Sequence, residues 1–222
     1  MFDAVVLIAD PELTRAQFDA LLPLVSLEQQ MRIKRYRFFR DARNTLLGDI
    51  LARHEICRAT GLDMASLDFS VNAYGKPFIT NLPNIHFNIS HAGRYVACAV
   101  ADEPVGIDIE LIVDADMDIA ERYFTPDEIA YIKGGQPARR FFEIWTKKES
   151  RIKWEGKGLF IPLTSFSVLA PAAQTQLAYH EVFYDGEAIC HACSAKQKKP
   201  SVRTINTHDL YYLMNVKLSY RK

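Results

Sequence analysis

Two acidic side chains lie two residues apart in the strictly alternating segment Val105-Gly106-Ile107-Asp108-Ile109-Glu110-Leu111. In a β-strand every second side chain points to the same face, so Asp108 and Glu110 are expected about 7 Å apart, opposite the aliphatic residues. Gly106 beside them is expected to leave room for a ligand to approach. Two carboxylates at this spacing can share one Mg²⁺, which prefers oxygen ligands. The alternative is a half-exposed strand with a solvated acidic face.

A second candidate is Trp145-Thr146-Lys147-Lys148-Glu149-Ser150-Arg151-Ile152-Lys153, which is predicted to be helical. Glu149 and Lys153 are four residues apart and therefore share one helix face, with Trp145 a turn before them. In an active site this pair supplies a carboxylate ligand or base and a cation for developing phosphate charge. On a surface helix the same pair would contribute only a few tenths of a kcal/mol.

The segment Asn88-Ile89-Ser90-His91-Ala92-Gly93 leaves a predicted strand and enters a turn. Neighbouring side chains on a strand point to opposite faces, so Ser90 and His91 do not form a nucleophile–base pair. Both side chains can bind phosphate oxygens at a strand end. The alternative for His91 is a buried, hydrogen-bonded structural histidine.

The segment Tyr74-Gly75-Lys76-Pro77 lies between two predicted strands. Gly75 permits close approach of a ligand to the backbone, and Pro77 stiffens the loop. The alternative is an ordinary turn.

Residues 32–43 form the most basic part of the chain. Its charged residues are six cations and one acid, which give a net charge of +5: Arg32, Lys34, Arg35, Arg37, Arg40, Arg43 and Asp41. Aromatic residues are interleaved among the cations, a combination that occurs in nucleic-acid binders. A phosphate-rich small ligand or an acidic protein partner fits equally well, and a solvated helix face is the alternative.

The elements that must position these residues follow from hydrophobic periodicity and from turn and cap signals. Strands are predicted at residues 4–9, 67–71, 78–79, 85–89, 95–101 and 105–112. Helices are predicted to begin near Pro11, after Ser26 and at Thr125, and to span residues 41–61 and 139–154. The remainder, residues 159–217, is predicted to be rich in strands.

A short internal similarity accompanies this order of elements. Ser66-Leu67-Asp68-Phe69-Ser70-Val71 follows the first long helix, and Leu163-Thr164-Ser165-Phe166-Ser167-Val168 follows the second. We therefore predict an α+β protein with two similar halves, residues 1–104 and 105–222. Chance similarity is the alternative.

Composition excludes several classes of protein. The 222 residues include 27 Lys and Arg against 27 Asp and Glu, which argues against a polybasic nucleic-acid binder and a disordered acidic chain. No apolar run approaches the roughly 18 residues of a membrane helix, and the first residues resemble a strand more than a signal peptide. A metal or redox role for the Cys190-His191-Ala192-Cys193 motif is disfavoured because no second ligand pair accompanies it. We expect a cytoplasmic protein.

Taken together in chain order, these motifs resemble those of the Sfp-type 4'-phosphopantetheinyl transferases. The resemblance rests on residues 74–77, on Phe87-Asn88-Ile89-Ser90-His91 with Gly93, and on residues 105–110. Trp145 with Lys148-Glu149-Ser150, Lys153 and Gly156-Lys157-Gly158 completes it, and Asp41-Ala42 with Thr45-Leu46-Leu47-Gly48-Asp49 extends it upstream.

The resemblance implies two pseudo-symmetric α/β halves with coenzyme A and Mg²⁺, or Mn²⁺ in its place, in the cleft between them. The implied reaction moves phosphopantetheine from coenzyme A to a serine of an apo carrier protein and releases 3',5'-ADP. Carrier domains of peptide, polyketide or fatty-acid synthases are the implied partners, in pathways that include antibiotic biosynthesis.

Site residues follow from the resemblance position by position. Asp108, Glu110 and Glu149 would hold the metal, with Asp108 counted among the catalytic residues. Glu149, directly or through a metal-bound water, would be the base, and Lys153 would bind the diphosphate and assist the leaving group. Coenzyme A would further contact Arg32, Thr45, Ser90 and His91, and its adenine would be framed by Gly75, Lys76 and Pro77, largely through their backbone.

One position departs from the family pattern. The family usually has a second basic residue where this chain has Gln29. This departure affects the expected binding of the 3'-phosphate, and the neighbouring cation Arg35 could compensate for it.

The competing hypothesis is a non-catalytic module that binds coenzyme A or a carrier. Fused halves favour a monomer.

Overall fold

The first strand begins almost at the N-terminus and forms the centre of the first sheet. The computed structural model describes residues 1–9, 13–158, 161–171, 175–195 and 199–219, with side chains described for all of these except 215–219. The strands are β1 Phe2–Ile8, β2 Phe69–Val71, β3 Pro77–Ile79, β4 His86–Ala92, β5 Tyr95–Ala101, β6 Val105–Leu111, β7 Ala178–Tyr184, β8 Ala188–Ser194 and β9 Ser201–Asn206. The helices are α1 Arg15–Leu21, α2 Leu27–Lys34, α3 Phe39–Thr60, α4 Met117–Tyr123, α5 Pro126–Lys133, α6 Pro137–Glu155 and α7 Thr207–Ser219.

Local signals explain where the helices begin and end. Ser26 caps α2 by accepting a hydrogen bond from the Gln29 amide, and Thr125 begins α5 with a capping box and a proline at the first position. The long helices α3 and α6 both end at glycines in the left-handed conformation, Gly61 and Gly156. The predicted helix start near Pro11 lies outside the described residues, and α1 begins at Arg15.

The two halves repeat one arrangement, a strand, a long helix and a hairpin. In the first half, β1, α3, β4 and β5 give the strand order β4-β5-β1, and in the second, β6, α6, β7 and β8 give β7-β8-β6. The predicted α+β class with two α/β halves is confirmed.

The segment after β8 returns to the first half. β9 pairs parallel with β1, with Asp3 opposite Ser201, and α7 places Leu210 and Met214 in the first core. The prediction of a strand-rich remainder is therefore wrong for the last helix, which begins where Asn206 and Asp209 exchange backbone-to-side-chain hydrogen bonds. The division at residues 104 and 105 stays a prediction.

The second copy of the internal similarity does not form a strand. Residues 69–71 belong to β2, whereas residues 163–165 form a 3₁₀ turn and residues 166–168 are irregular. The repeat is therefore carried by the strand order of the two sheets rather than by this short segment.

The sheets pack against each other through small side chains, while the long helices cover their outer faces. Along β1, Ala4 and Val6 face the second half, and Val5 and Leu7 face the core around α3. Cys190 and Cys193 are both buried and unpaired in β8. None of the described helices has the length and apolar character needed to cross a membrane.

Gly106 contacts a helix rather than a ligand, so the expectation of ligand approach at this glycine is wrong. A Cβ atom built on Gly106 would lie 1.9 Å from the Ser150 carbonyl oxygen and 2.5 Å from the backbone nitrogen of Trp154. The missing side chain therefore lets the backbone of α6 lie directly on β6, which brings the functional groups of both elements together.

We expect Gly106→Ala to destabilise the fold by at least 1–3 kcal/mol, the usual cost of overpacking, because neither backbone can move aside alone. Chemical denaturation of the variant measures this free energy. Gly134→Ala is the matched control, since its φ is −78° and its Cβ would meet the flexible end of Arg140 at 3.2 Å. Equal stabilities of the two variants would contradict the tight β6–α6 contact.

Candidate active site

A cleft of about 700 Å³ lies where the two halves meet, and it is lined by α2, α3, the β2–β3 hairpin, β4, β6 and α6. All but one of the site residues predicted from the sequence line it: Arg32, Thr45, Gly75, Pro77, Ser90, His91, Asp108, Glu110, Glu149 and Lys153. The exception is Lys76, whose side chain lines a separate, smaller cavity of about 260 Å³.

A three-residue polar contact joins the halves at the floor of this cleft. The Lys153 ammonium lies 2.6 Å from Asp108 Oδ1 and donates to Ser90 Oγ at 2.8 Å, while Ser90 Oγ donates to the same Asp108 oxygen at 2.9 Å. Asp108 is only 3% exposed. Its carboxylate is therefore not part of a solvated acidic face.

The strands beneath this contact are also joined. The Asn88 side chain in β4 accepts a hydrogen bond of 2.9 Å from the Ile107 amide in β6. β4 carries Ser90 and β6 carries Asp108, so this bond fixes the two strands beside each other. The ion pair between Lys153 and Asp108 therefore depends on packing between the two halves.

Three carboxylates crowd the second-half side of the cleft. Burial raises the pKa of Glu110 to about 7, and the negative charges of Asp108 and Glu149 add to the rise. Burial also raises the pKa of Asp108, although Lys153 and Ser90 act to lower it. The pKa of Glu149 is raised by burial and, in addition, by the negative charge of Asp108. Bringing a further cation to these groups would relieve their repulsion.

The donor set fits a hard divalent cation. Asp108 Oδ2 is buried and has no hydrogen-bond partner among the described residues, although such atoms are normally paired. Across the described ranges, no three His, Cys, Asp or Glu side chains are placed to hold a metal ion as they stand. Oxygen ligands of this kind suit Mg²⁺, which keeps several waters and completes its shell with substrate phosphate.

The first-half side of the cleft presents cationic and hydroxyl groups. Thr45 on α3, His91 at the end of β4 and Arg32 on α2 all line it. Burial, followed by the nearby charge of Lys153, lowers the pKa of His91. The turn after His91 is fixed by Asn44 Nδ2, which donates to the Gly93 carbonyl at 3.0 Å.

Arg43, in the basic segment of residues 32–43, is buried and bonds to the protein rather than contributing surface charge. It is 1% exposed, and its guanidinium bonds to the Asn44 side chain at 3.1 Å. By contrast, residues 34–40 are all exposed. The surface charge of this segment is thus smaller than the sequence count.

Arg53 and Asp49 form an ion pair and are among the cleft residues that the sequence does not predict as site residues. The Arg53 guanidinium is bonded to Asp49 and lies 4.2 Å from the ring centre of Phe69. The signal available in the sequence is the spacing of four residues from Thr45 to Asp49 to Arg53, which places all three on one face of α3.

Comparisons with known proteins identify the family of this chain. The family model described as "4'-phosphopantetheinyl transferase, N-terminal" matches residues 11–103, and the "4'-phosphopantetheinyl transferase superfamily" model matches residues 104–211. The "4'-phosphopantetheinyl transferase" of Bacillus subtilis is 44% identical over 162 residues, which cover 72% of each chain. The "4'-phosphopantetheinyl transferase Sfp" of Bacillus subtilis strain 168 is 41% identical over 162 residues, again 72% of each chain.

A more distant relative matches over a longer stretch. The Saccharomyces cerevisiae "L-aminoadipate-semialdehyde dehydrogenase-phosphopantetheinyl transferase" is 27% identical over 227 aligned positions, which cover 91% of this chain and 82% of the relative. Both halves match the same family, and the identity to the Bacillus proteins exceeds 40%. The chain belongs to the 4'-phosphopantetheinyl transferase superfamily and is of the Sfp type.

Proposed function

We propose that this chain transfers 4'-phosphopantetheine from coenzyme A to a serine hydroxyl of an apo carrier protein. The serine oxygen forms a bond to the phosphorus attached to pantetheine, and the bond from that phosphorus to the bridging oxygen breaks. The other product is 3',5'-ADP, which keeps the bridging oxygen. The observation that carries this proposal is the meeting of Asp108, Ser90 and Lys153 at the junction of the halves.

Lys153 holds the diphosphate in this proposal and supports the leaving group. Its ammonium already lies at the cleft floor, 2.6 Å from Asp108, so charge that develops on the leaving oxygen meets a positioned donor. Glu149 would accept the serine proton, a role supported by its raised pKa, since proton transfer is favoured when the pKa of the base is near the working pH.

Asp108, Glu110 and Glu149 would hold Mg²⁺, or Mn²⁺ in its place. When bound, the cation supplies charge neutralisation for the diphosphate. The orphaned Asp108 Oδ2 and the crowding of three carboxylates support this assignment.

The rest of coenzyme A would lie along the first-half side. Gly75, Lys76 and Pro77 frame the adenine, largely through their backbone, and Thr45, Ser90 and His91 line the phosphates. Arg32 is the proposed partner of the 3'-phosphate, with Arg35 supplementing it where Gln29 cannot. The lining of the cleft by all of these except Lys76 and Arg35 supports the proposal.

The carrier would meet the cleft on the second-half side. The segment after β6 exposes apolar side chains, with Val113 60% and Tyr123 40% exposed, and we propose residues 111–124 as part of the docking site. Cytoplasmic location and a monomeric state stay predictions.

The function is tested by incubating the chain with coenzyme A, Mg²⁺ and apo carrier domains from peptide, polyketide and fatty-acid synthases. Intact-mass measurement should show the gain of one phosphopantetheine group on at least one carrier. Coenzyme A binding without modification of any carrier would favour the alternative, a non-catalytic binding module.

Removal of divalent metal is expected to abolish transfer, because the diphosphate would then meet three carboxylates whose charge Lys153 neutralises only in part. Initial rates measured after chelation, and again after Mg²⁺ or Mn²⁺ is added back, check this. Glu181→Gln, on the exposed face of β7, is the control and should keep the metal requirement of the unmodified chain. Full activity in the presence of a strong chelator would contradict the roles of Asp108 and Glu110.

A further inference from the structure

Lys76 is the one residue of the predicted coenzyme A contacts that does not line the cleft. Gly75 lines the cleft and Pro77 lines both cavities, whereas Lys76 lines the smaller cavity, with Trp154 and Gly156, and not the cleft. The resemblance groups Lys76 with the residues that touch coenzyme A. That contact is expected largely through the backbone, and the ammonium points into the junction between the halves.

Three main-chain carbonyls surround this ammonium. Lys76 Nζ donates to the Val105 oxygen at 3.2 Å, to the Trp154 oxygen at 3.3 Å and to the Lys153 oxygen at a shorter distance. Burial lowers its pKa to about 8. Within the described residues, Lys76 forms no ion pair with a carboxylate.

These three carbonyls need hydrogen-bond donors, which the Lys76 ammonium supplies. Residues 153 and 154 lie in the last turn of α6, whose carbonyls have no partner within the helix, and a cation at a helix C-terminus also interacts favourably with the helix dipole. Val105 is the first residue of β6. One ammonium therefore connects the hairpin of the first half to the two elements that carry the acidic residues and Lys153.

Asn72 adds a second connection at the same place. Its Nδ2 donates to the Gly156 carbonyl at 3.0 Å, and its Oδ1 accepts from the Tyr74 and Lys76 amides at 2.9 Å each. The loop that presents Gly75 is thus fixed to the end of α6.

Lys153 is the residue on which these contacts converge. Its carbonyl accepts from Lys76, and its own ammonium reaches Asp108 and Ser90. A shift of the last turn of α6 along β6 would therefore displace the Lys153 ammonium directly.

We propose that Lys76 is a positioning residue for the transfer reaction. It keeps the end of α6 in register with β6 and with the loop at Gly75, so that the Lys153 ammonium stays on Asp108. This inference rests on the proposed function. Because displacement of a reacting group by about 1 Å can cost 10²-fold in rate, the effect should appear in kcat.

The test compares Lys76→Met, which keeps the length of the side chain and removes the donor, with Lys76→Arg, which keeps a cation. Lys157→Met is the control, since Lys157 is exposed just beyond α6. Steady-state transfer is measured at a temperature where thermal denaturation shows every variant fully folded. We expect kcat to fall about 10- to 100-fold in Lys76→Met, to be partly restored in Lys76→Arg, and to be unchanged in Lys157→Met.

The split between kcat and KM separates this role from the alternatives. A higher KM for coenzyme A with unchanged kcat would overturn the proposal, because it would mark Lys76 as a simple ligand contact. A lower melting temperature with unchanged kcat and KM would also overturn it, because it would mark a purely structural role.

A readout independent of activity completes the test. The Gly156 amide donates to the Ile152 carbonyl at 3.0 Å, and its hydrogen exchange should accelerate in Lys76→Met but not in Lys157→Met. Unchanged exchange would contradict the connection between Lys76 and the last turn of α6.

Absence of transfer by the unmodified chain would instead refute the proposed function. If Lys76→Met does not fold, Asn72→Ala should show the same kcat effect at smaller size, and unchanged kcat there would count against the proposal.

Discussion

Lys153→Met is expected to lower kcat for phosphopantetheine transfer by about 10²–10³-fold, the usual cost of removing a positioned electrostatic donor. The Lys153 ammonium is 2.6 Å from Asp108 and 2.8 Å from Ser90, so it is held at the cleft floor before any substrate binds. Methionine retains the length of the side chain and removes the charge. Steady-state kinetics with coenzyme A and an apo carrier measure the effect.

Lys147→Met provides the matched control on the same helix. Lys147 pairs with Glu143 one turn away at 2.6 Å and does not line the cleft, so kcat should be unchanged. Lys153→Met also leaves the buried Asp108 without its cation, which lowers stability. The double variant Asp108→Asn/Lys153→Met should therefore regain stability while remaining inactive. Recovery of activity in that double variant would contradict the proposed roles of both residues.

Lys148→Met is expected to lower the free energy of unfolding by about 3–5 kcal/mol, because it leaves a buried partner charge uncompensated. Lys148 and Glu128 are both fully buried, with 2.9 Å between Lys148 Nζ and Glu128 Oε2. The same ammonium donates to the carbonyls of Leu163 and Phe166 at 2.7 Å each. Urea denaturation measures the loss.

The comparison with Lys147→Met isolates the effect of burial. The Lys147–Glu143 pair is partly exposed, so its loss should cost no more than about 1 kcal/mol. In Lys148→Met/Glu128→Gln both charges are removed, and part of the stability should return. A loss below 1 kcal/mol in Lys148→Met would show that this ion pair does not hold α5 and residues 163–168 against α6.

Local periodicity was sufficient to predict much of the cleft. The two-residue spacing of Asp108 and Glu110 and the four-residue spacing of Glu149 and Lys153 placed each pair on one face. Both faces line the cleft. The glycine and capping signals at Gly61 and Thr125 predicted the helix boundaries for the same reason, since they act within a few residues.

Contacts between distant segments could not be predicted in this way. The spacing suggested an ion pair between Glu149 and Lys153, but Lys153 binds Asp108 because the halves bring β4, β6 and α6 together. Gly106 suggested space for a ligand, but α6 fills that space. No local spacing indicates that the Lys76 ammonium binds carbonyls 29 to 78 residues away in the chain.

The measurement that tests the proposed active site most directly is a crystal structure with coenzyme A and Mn²⁺, in which anomalous scattering locates the metal. The expected result is one metal peak at the carboxylates of Asp108, Glu110 and Glu149, with Asp108 Oδ2 among its ligands. The diphosphate of coenzyme A should lie between Lys153 and His91. The adenine should lie against Gly75 and Pro77. A metal peak away from these carboxylates, or coenzyme A bound outside the cleft, would contradict the assignment of this site.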